Sequence, residues 1–300
     1  MGALRDEGLL GQPGLHQPHS LHEAWELKSA LGSGALYVSG GTLLRTQWDA
    51  GTLPMPNQLI DLRGVEGIGI GEIRSTEYYL TLGALTTLSL CRKNKYLQSV
   101  APAVQAAVKG IAAPAVRNLA TLGGNIASGF GDILPALLVY DAEMVTYDGK
   151  LLNAQPLIEW LNSRWEGAVS AMDIVAEVRI PIPKASEKEA SRVEVYHKIG
   201  RREAFTPSLV TVALTASIDA SHRISRVRLA AGGGSGRPQR LIAAEAMLEG
   251  NTYEERLLPL VYEAVVNDFE TYSDPFASEA YKKKTAGNLI VSELWKAFKV

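Results

Sequence analysis

Two short stretches carry glycine pairs flanked by hydroxyl and amide side chains: Ser39-Gly40-Gly41-Thr42 and, about eighty residues later, Thr121-Leu122-Gly123-Gly124-Asn125. Without Cβ atoms, successive N–H groups can turn toward one centre, and such a nest holds phosphate oxygens. Thr121 and Asn125 add side-chain donors, and Asp132 opens an apolar, helix-like run over residues 133–140. A single Gly pair is most often only a turn. Two of the same chemistry suggest a pyrophosphate gripped from both sides. No hydrolase constellation accompanies them. His197 and His222 are too few and too uninformatively placed for a triad, and no carboxylate spacing singles out an acid–base pair. The pattern fits a polypeptide that positions a cofactor, with the cofactor carrying the reaction.

The elements that would hold these stretches follow from periodicity and punctuation. Residues 1–17 are rich in Gly, Pro and Gln and are expected to be mobile. Ser20 and Glu23 form a capping box for a helix with Leu21, Ala24, Trp25, Leu27, Ala30 and Leu31 inward. A buried strand over 35–39 delivers the first Gly pair, a helix over 42–50 starts beside it, and a strand over 58–62 completes a βαβ-type unit. A hairpin is predicted from 67–73 and 77–82. The GIGIGEI run within it lacks the third Gly of a dinucleotide fingerprint, Glu72 or Arg74 standing there. Helices are predicted over 87–93 and 96–109, then the second Gly pair as a loop, then a helix over 132–141 with Pro135 in its first turn. A hairpin (143–147 and 150–152), a short helix (157–161) and a strand (173–183) close this half.

The charged stretch KASEKEASR, 184–192, reads as a linker. Beyond it lie three alternating strands, 193–199, 209–218 and 224–230, forming an antiparallel meander. Gly232-Gly233-Gly234-Ser235-Gly236 reads as a flexible connection to a helix over 239–248. Two more helices, 254–272 and 278–298, complete the chain, with Lys282-Lys283-Lys284 as a solvated face.

Composition bounds the rest. The 300 residues have a formal net charge of -2, which offers no electrostatic reason for nucleic-acid binding. No apolar run approaches the ~20 residues of a membrane span. His16, His19 and His22 have ligand-like spacing but no Cys or paired carboxylate beside them, so no metal site is expected. The single cysteine, Cys91, excludes an intrachain disulfide, suits a reducing cytoplasm and reads as a packed core thiol. An iron–sulfur cluster normally takes four Cys ligands. Any such cluster in a relay with this chain must therefore sit on another polypeptide.

The run Arg117-Asn118-Leu119-Ala120-Thr121-Leu122-Gly123-Gly124-Asn125, followed by Asp132 and Pro135-Ala136-Leu137-Leu138, resembles a family signature. It is that of the FAD-binding medium subunit of molybdenum hydroxylases, the xanthine dehydrogenase and carbon monoxide dehydrogenase family. Residues 36–42 resemble the family's first FAD loop. Tyr196-His197-Lys198, the 230–250 block with Pro238 and Arg240, and the 273–282 block resemble its C-terminal domain. The motifs follow in family order over roughly 18–298.

The resemblance implies an α+β protein. Its FAD-binding domain, of the two-subdomain PCMH type, spans 18–183, split into about 18–63 and 64–183. A C-terminal domain over 193–300 carries an antiparallel sheet with three helices. It implies that Val38, Ser39, Gly40, Gly41, Thr42 and Leu43, with Ala120, Thr121, Gly123, Gly124 and Asn125, cradle FAD. Asp132 would contact FAD through a hydrogen bond, and Ile111, Val175 and Lys198 would lie near the flavin ring, where a cation stabilises reduced flavin. No residue of the chain itself is implied to be catalytic. The implied partners are a molybdopterin-binding large subunit and a small subunit with 2Fe-2S clusters, with NAD or another molecule as electron acceptor. Leu43, where relatives carry a polar residue, and a short 126–131 segment depart from the family pattern and bear on the adenosine contacts. A stand-alone flavoenzyme and a non-catalytic nucleotide-binding module remain as alternatives.

Overall fold

A computed structural model describes residues 13–67, 72–183, 191–202, 206–234 and 236–298. The first unit comprises Gly14–His16 (β1), Leu21–Leu31 (α1), Ala35–Val38 (β2), Thr42–Asp49 (α2) and Gln58–Asp61 (β3), with the three strands in parallel order β1-β3-β2. Ser20 caps α1 by accepting from the Glu23 amide at 3.1 Å, and Glu23 accepts in return from the His19 amide at 2.7 Å. Ala30, expected inward, is exposed, and Lys28 is buried instead. Its Nζ donates to Gly32 O and Ala35 O, capping the helix end where a cation is favoured. The expected mobile start is corrected for Gly14–His16. That stretch is an edge strand, tied in by Gly14 N to Asn57 O at 3.0 Å and by the His16 ring against Gln58. Residues 1–12 lie outside the described residues.

The second unit follows: Ile73–Ser75 (β4), Tyr79–Gly83 (β5), Leu88–Lys93 (α3), Lys95–Val100 (α4), Pro102–Gly110 (α5), Pro114–Leu119 (α6), Leu122–Ala127 (α7), Leu134–Leu138 (α8), Glu143–Tyr147 (β6), Leu152–Pro156 (β7), Leu157–Trp165 (α9) and Ile174–Pro181 (β8). Its sheet runs β4-β5-β8-β6-β7, all antiparallel. The repeat within GIGIGEI, residues 68–71, lies outside the described residues. The helix predicted over 96–109 is two helices, because Pro102 has no N–H to donate and forces Ala101 out of the helical region, to φ -141°. An amide of the new first turn, Ala103 N, donates instead to the Tyr140 hydroxyl at 3.1 Å.

The C-terminal unit comprises Ser191–Gly200 (β9), Ser208–Ile218 (β10), Ile224–Gly233 (β11), Gly236–Arg240 (β12), Ile242–Leu248 (α10), Leu257–Asp268 (α11) and Glu279–Phe298 (α12). The sheet order is β12-β11-β10-β9, antiparallel throughout. The glycine-rich stretch is therefore a hairpin and not a flexible connection. Gly233 at φ +92° and Gly234 at φ +58° turn the chain where a side chain would strain, and Gly236 begins a fourth strand against β11. The predicted linker lies outside the described residues except Ser191 and Arg192, which already pair in β9.

The three helices cover one face of this sheet around a core of Val210, Val212, Leu214, Leu229, Val261, Val265, Phe269, Ile290 and Leu294. The opposite face meets the second unit: Ala213 and Ala230 join the core that holds Leu134, Leu137 and Leu138. That explains why α8 is apolar all round. It is buried between the C-terminal sheet and helices α5 and α9, and each Leu contributes about 1.5–3 kcal/mol. Thr215 donates to Val139 O at 2.9 Å across this contact, and Arg240 pairs with Asp141 at 2.6 Å. Cys91 is buried in the same core, which pushes its thiol up to about 12.

Candidate cofactor site

Strand β2 ends at Val38 and delivers Ser39, Gly40 and Gly41 to the start of α2. Gly41 sits at φ +64° as the N-cap and offers no side-chain acceptor, so the first-turn amides of Thr42, Leu43 and Leu44 have no intrahelical partner. Those donors and the positive end of the helix suit an anion. A Cβ on Gly40 would lie 1.9 Å from Leu119 O, so this loop rests directly on the end of α6. Ser39 Oγ meets Thr121 Oγ1 at 2.9 Å, and a Cβ on Gly124 would come within 3.6 Å of Ser39 Oγ. The two Gly pairs, separate in sequence, thus face each other.

They are not equivalent. The second pair, expected as a loop of converging amides, is the first turn of α7, with Thr121 as N-cap. Its amides are already spent: Leu122 N on Thr86 O at 2.9 Å, Gly123 N on Ala84 O at 2.8 Å, Gly124 N on Thr121 Oγ1 at 3.1 Å and Asn125 N on Thr121 O at 3.1 Å. Gly123 is small because a Cβ would lie 2.6 Å from Ala84 Cβ, where the helix crosses the sheet. Gly124 alone leaves space toward the first loop. The donor set is therefore the 40–44 amides with one hydroxyl of the Ser39–Thr121 pair, the other proton being spent between the two oxygens. A pyrophosphate fits these groups, with Gly124 as the gap that a side chain would fill.

Asn125 turns away from this cradle. Its Oδ1 accepts from Ile133 N at 3.4 Å, and a Cβ on Gly131 would lie 2.1 Å from it. That contact seats Asp132, whose carboxylate is held by the C-terminal sheet. Lys198 Nζ pairs with Oδ2 at 2.7 Å, and Ser208 Oγ donates to Oδ1 at 2.6 Å. The Tyr196 hydroxyl donates to Asp132 O at 2.9 Å and stays neutral, since burial and then the Asp132 charge raise it well above its ordinary value. Lys198 Nζ also donates to Gly110 O at 3.1 Å, beside Ile111. Ile111 is a buried member of the core, Val175 is half-buried on β8 opposite Thr146, and Ala120 ends α6 half-buried. Leu43 is 48% exposed.

The structure brings Ser39, Gly40, Gly41, Thr121 and Gly124 into one cradle and Asp132 and Lys198 into one ion pair. Sequence reading missed Ser208, which sits in an ordinary alternating strand and carries no signal of its own. It also missed Arg117, whose guanidinium caps the Ile111 and Ala112 carbonyls; its place inside the signature run was the available clue. Among the described residues no group of three or more His, Cys, Asp or Glu could hold a metal ion, and no helix is long and apolar enough to cross a membrane.

Residues 11–183 match the family described as the FAD binding domain in molybdopterin dehydrogenase, and residues 194–296 match the CO dehydrogenase flavoprotein C-terminal domain. The 6-hydroxypseudooxynicotine dehydrogenase complex subunit alpha of Paenarthrobacter nicotinovorans is 25% identical over 284 residues, covering 93% of this chain and 92% of that one. The xanthine dehydrogenase FAD-binding subunit of Escherichia coli O157:H7 is 26% identical over 228 residues, 75% of this chain and 74% of that one. A carbon monoxide dehydrogenase structure from Hydrogenophaga pseudoflava superimposes with a TM-score of 0.85 at 23% identity, covering 97% of this chain and 99% of that chain, a likeness of fold. With family models matched over residues 11–183 and 194–296, nearly the whole chain, the chain belongs to the FAD-binding flavoprotein subunits of the molybdenum hydroxylase family, the oxidoreductase component that carries FAD.

Proposed function

We propose that this chain is the electron-transfer flavoprotein of a xanthine-dehydrogenase-like complex in the cytoplasm. In that complex a large molybdopterin chain hydroxylates the substrate and a small chain with 2Fe-2S clusters passes the electrons on. FAD, when bound here, supplies the redox chemistry that delivers them to NAD or another acceptor. The carrying observation is the closure of the 39–41 loop on the 119–124 segment, with free amides on one side and the Gly124 gap on the other. The lone cysteine supports a relay, since cluster ligands must come from elsewhere.

The chain's own residues bind and orient. The amides of 40–44 and the free hydroxyl proton of the Ser39–Thr121 pair hold the pyrophosphate, with Val38, Thr42, Leu43 and Ala120 as the surrounding wall. Ile111 and Val175 close the apolar side. Lys198, fixed by Asp132, keeps a positive charge beside the ring edge, where electron density accumulates on reduction. Two measurements on the purified chain test the reading. Adding FAD should give the flavin absorbance bands in near-equal ratio to protein; a chain that takes up no flavin overturns it. The molybdenum-free chain should not hydroxylate purines or aldehydes, and turnover of either would point to a self-contained enzyme.

A further inference from the structure

Strand β11 carries an extra residue. Thr215 pairs with Arg228 and Ser217 with Ser225, so Arg226 and Val227 together stand opposite Ala216. The bulge lets Ile224, Val227 and Leu229 all pack into the core under the helices, and it leaves Arg226 at φ +54°. Glycine would take that conformation at no steric cost, yet the position carries an arginine. Glu249 holds the bulge in place. Its carboxylate accepts from the Arg226 amide at 3.0 Å and from the Val227 amide at 2.8 Å. Strain held this firmly by its surroundings directs attention to what the side chain does.

That side chain lines a cavity of about 50 Å³, with Pro183, Arg192, Thr215, Ala216 and Ser217 as the other walls. Arg192 on β9 is the register partner of Ser217 on β10, and Arg226 follows on β11. Three neighbouring strands thus each present one polar group. Ser217 is 2% exposed. Its Oγ accepts from Arg226 Nε at 3.3 Å, which leaves its own proton to donate, and no acceptor for that proton lies among the described residues. A buried hydroxyl in that state is costly until a bound group accepts from it.

The charges around the cavity favour an anion. Arg192 pairs with Glu194 at 3.2 Å, but burial pushes the Glu194 carboxyl up, against the opposing effects of Arg192 and the Tyr140 hydroxyl. The Glu249 carboxylate is engaged by the two bulge amides, and Thr215 Oγ1 donates away from the cavity to Val139 O. Two guanidiniums and one hydroxyl proton therefore border a space of small-ion size.

We propose that this cavity binds a tetrahedral oxyanion, of the phosphate or sulfate class, held by the Arg192 and Arg226 guanidiniums and the Ser217 hydroxyl. Donors converging from three strands match an acceptor with oxygens on several sides, and guanidinium forks suit phosphate geometry. The anion is either free phosphate or a phosphoryl group carried on a larger molecule. Pro183, which follows β8, forms one wall, so the ion sits at the seam between the second unit and the C-terminal sheet. None of these residues belongs to the 39–44 cradle, and the site does not depend on the FAD reading.

The test is binding of radiolabelled inorganic phosphate to the full-length chain by equilibrium dialysis, with ionic strength fixed by sodium chloride. An empty pyrophosphate cradle also attracts phosphate, so the variants are chosen to tell the two places apart. Wild type should bind phosphate saturably, and Arg192→Gln and Arg226→Gln should each weaken that binding about tenfold or more. Ser217→Ala should weaken it by a smaller factor, and Gly124→Val, which alters only the cradle, should leave it intact. AMP in a parallel arm separates the sources. Displacement of the bound phosphate identifies a carried phosphoryl group and no displacement a free ion, the site standing in both cases. No saturable uptake by wild type would overturn the proposal, as would uptake that both arginine variants retain at wild-type affinity. If circular dichroism shows those variants unfolded, Ser217→Ala decides, and an unchanged affinity there overturns it.

Discussion

Gly123 and Gly124 are neighbours in sequence and glycine for different reasons. At Gly123 a Cβ would strike Ala84 Cβ at 2.6 Å and Ala84 O at 2.9 Å, so the residue lets α7 approach the sheet. At Gly124 the nearest groups are Thr121 Oγ1 at 3.0 Å and Ser39 Oγ at 3.6 Å, on the side of the cradle. The two positions should therefore separate folding from binding. Gly123→Ala is expected to lower stability by about 1–3 kcal/mol through overpacking, read as a shift in the urea midpoint. Gly124→Val should keep a native circular dichroism spectrum and lose FAD, read as the ratio of flavin to protein absorbance. Stoichiometric flavin on a folded Gly124→Val chain would remove the cradle assignment.

At the scale of elements, α12 shows how a helix is fixed by one charge. Lys282 belongs to a run of three lysines expected to face water, yet it is fully buried. Its Nζ donates to Tyr272 O at 2.8 Å and pairs with Asp274 Oδ2 at 2.5 Å, tying the segment before α12 to the helix. The hydrogen bond from Lys282 holds the Asp274 carboxyl below the usual carboxylate range, against the opposing effect of burial. A depressed carboxyl stabilises the fold above its unfolded value of about 3.9 and loses that contribution as the pH falls toward the folded value. Asp274→Asn should therefore destabilise the chain at pH 7, by about 3 kcal/mol if the ammonium is stranded. It should also flatten the acid limb of stability below about pH 4. Chemical denaturation from pH 3 to 7 checks both, and parallel wild-type and variant curves would show that the pair is inert.

Across the whole molecule, the Lys198–Asp132 pair joins Arg240–Asp141 in tying the second unit to the C-terminal sheet. Asp132 comes from the second unit, while Lys198, Ser208 and Tyr196 come from the C-terminal sheet. The C-terminal sheet thus fixes Asp132 as well as packing its own core. A double-mutant cycle on Asp132→Asn and Lys198→Met should give a coupling of about 0.5–3 kcal/mol in stability. Both single variants should also release FAD faster. Strict additivity in unfolding and in flavin release would mean that the domains merely abut.

Local periodicity was enough to read most strands and helices, because one buried face per element imposes alternation or a 3.6-residue spacing. The βαβ-type start, the meander and the capped α1 are legible at that level, and the family's ordered motifs pointed to FAD and to the paired glycine stretches. Three features were decided only by packing. Pro102 and its cost to a continuous helix were visible in the sequence, but whether Tyr140 would receive the orphan amide was not. Gly123-Gly124 read as a flexible nest, whereas contact with Ala84 and Thr86 spends those amides and makes the pair a helix start. Lys282 read as part of a solvated face and Arg117 only as a member of the signature run, since charge type says nothing about which carbonyls will surround it. Residue types and short-range spacing are written along the chain, so they determined the family, the cofactor and the local elements. Some hydrogen-bond partners lie about ten to eighty positions away, Tyr272 for Lys282 and Thr121 for Ser39, and only the closed fold brings such groups within hydrogen-bond distance.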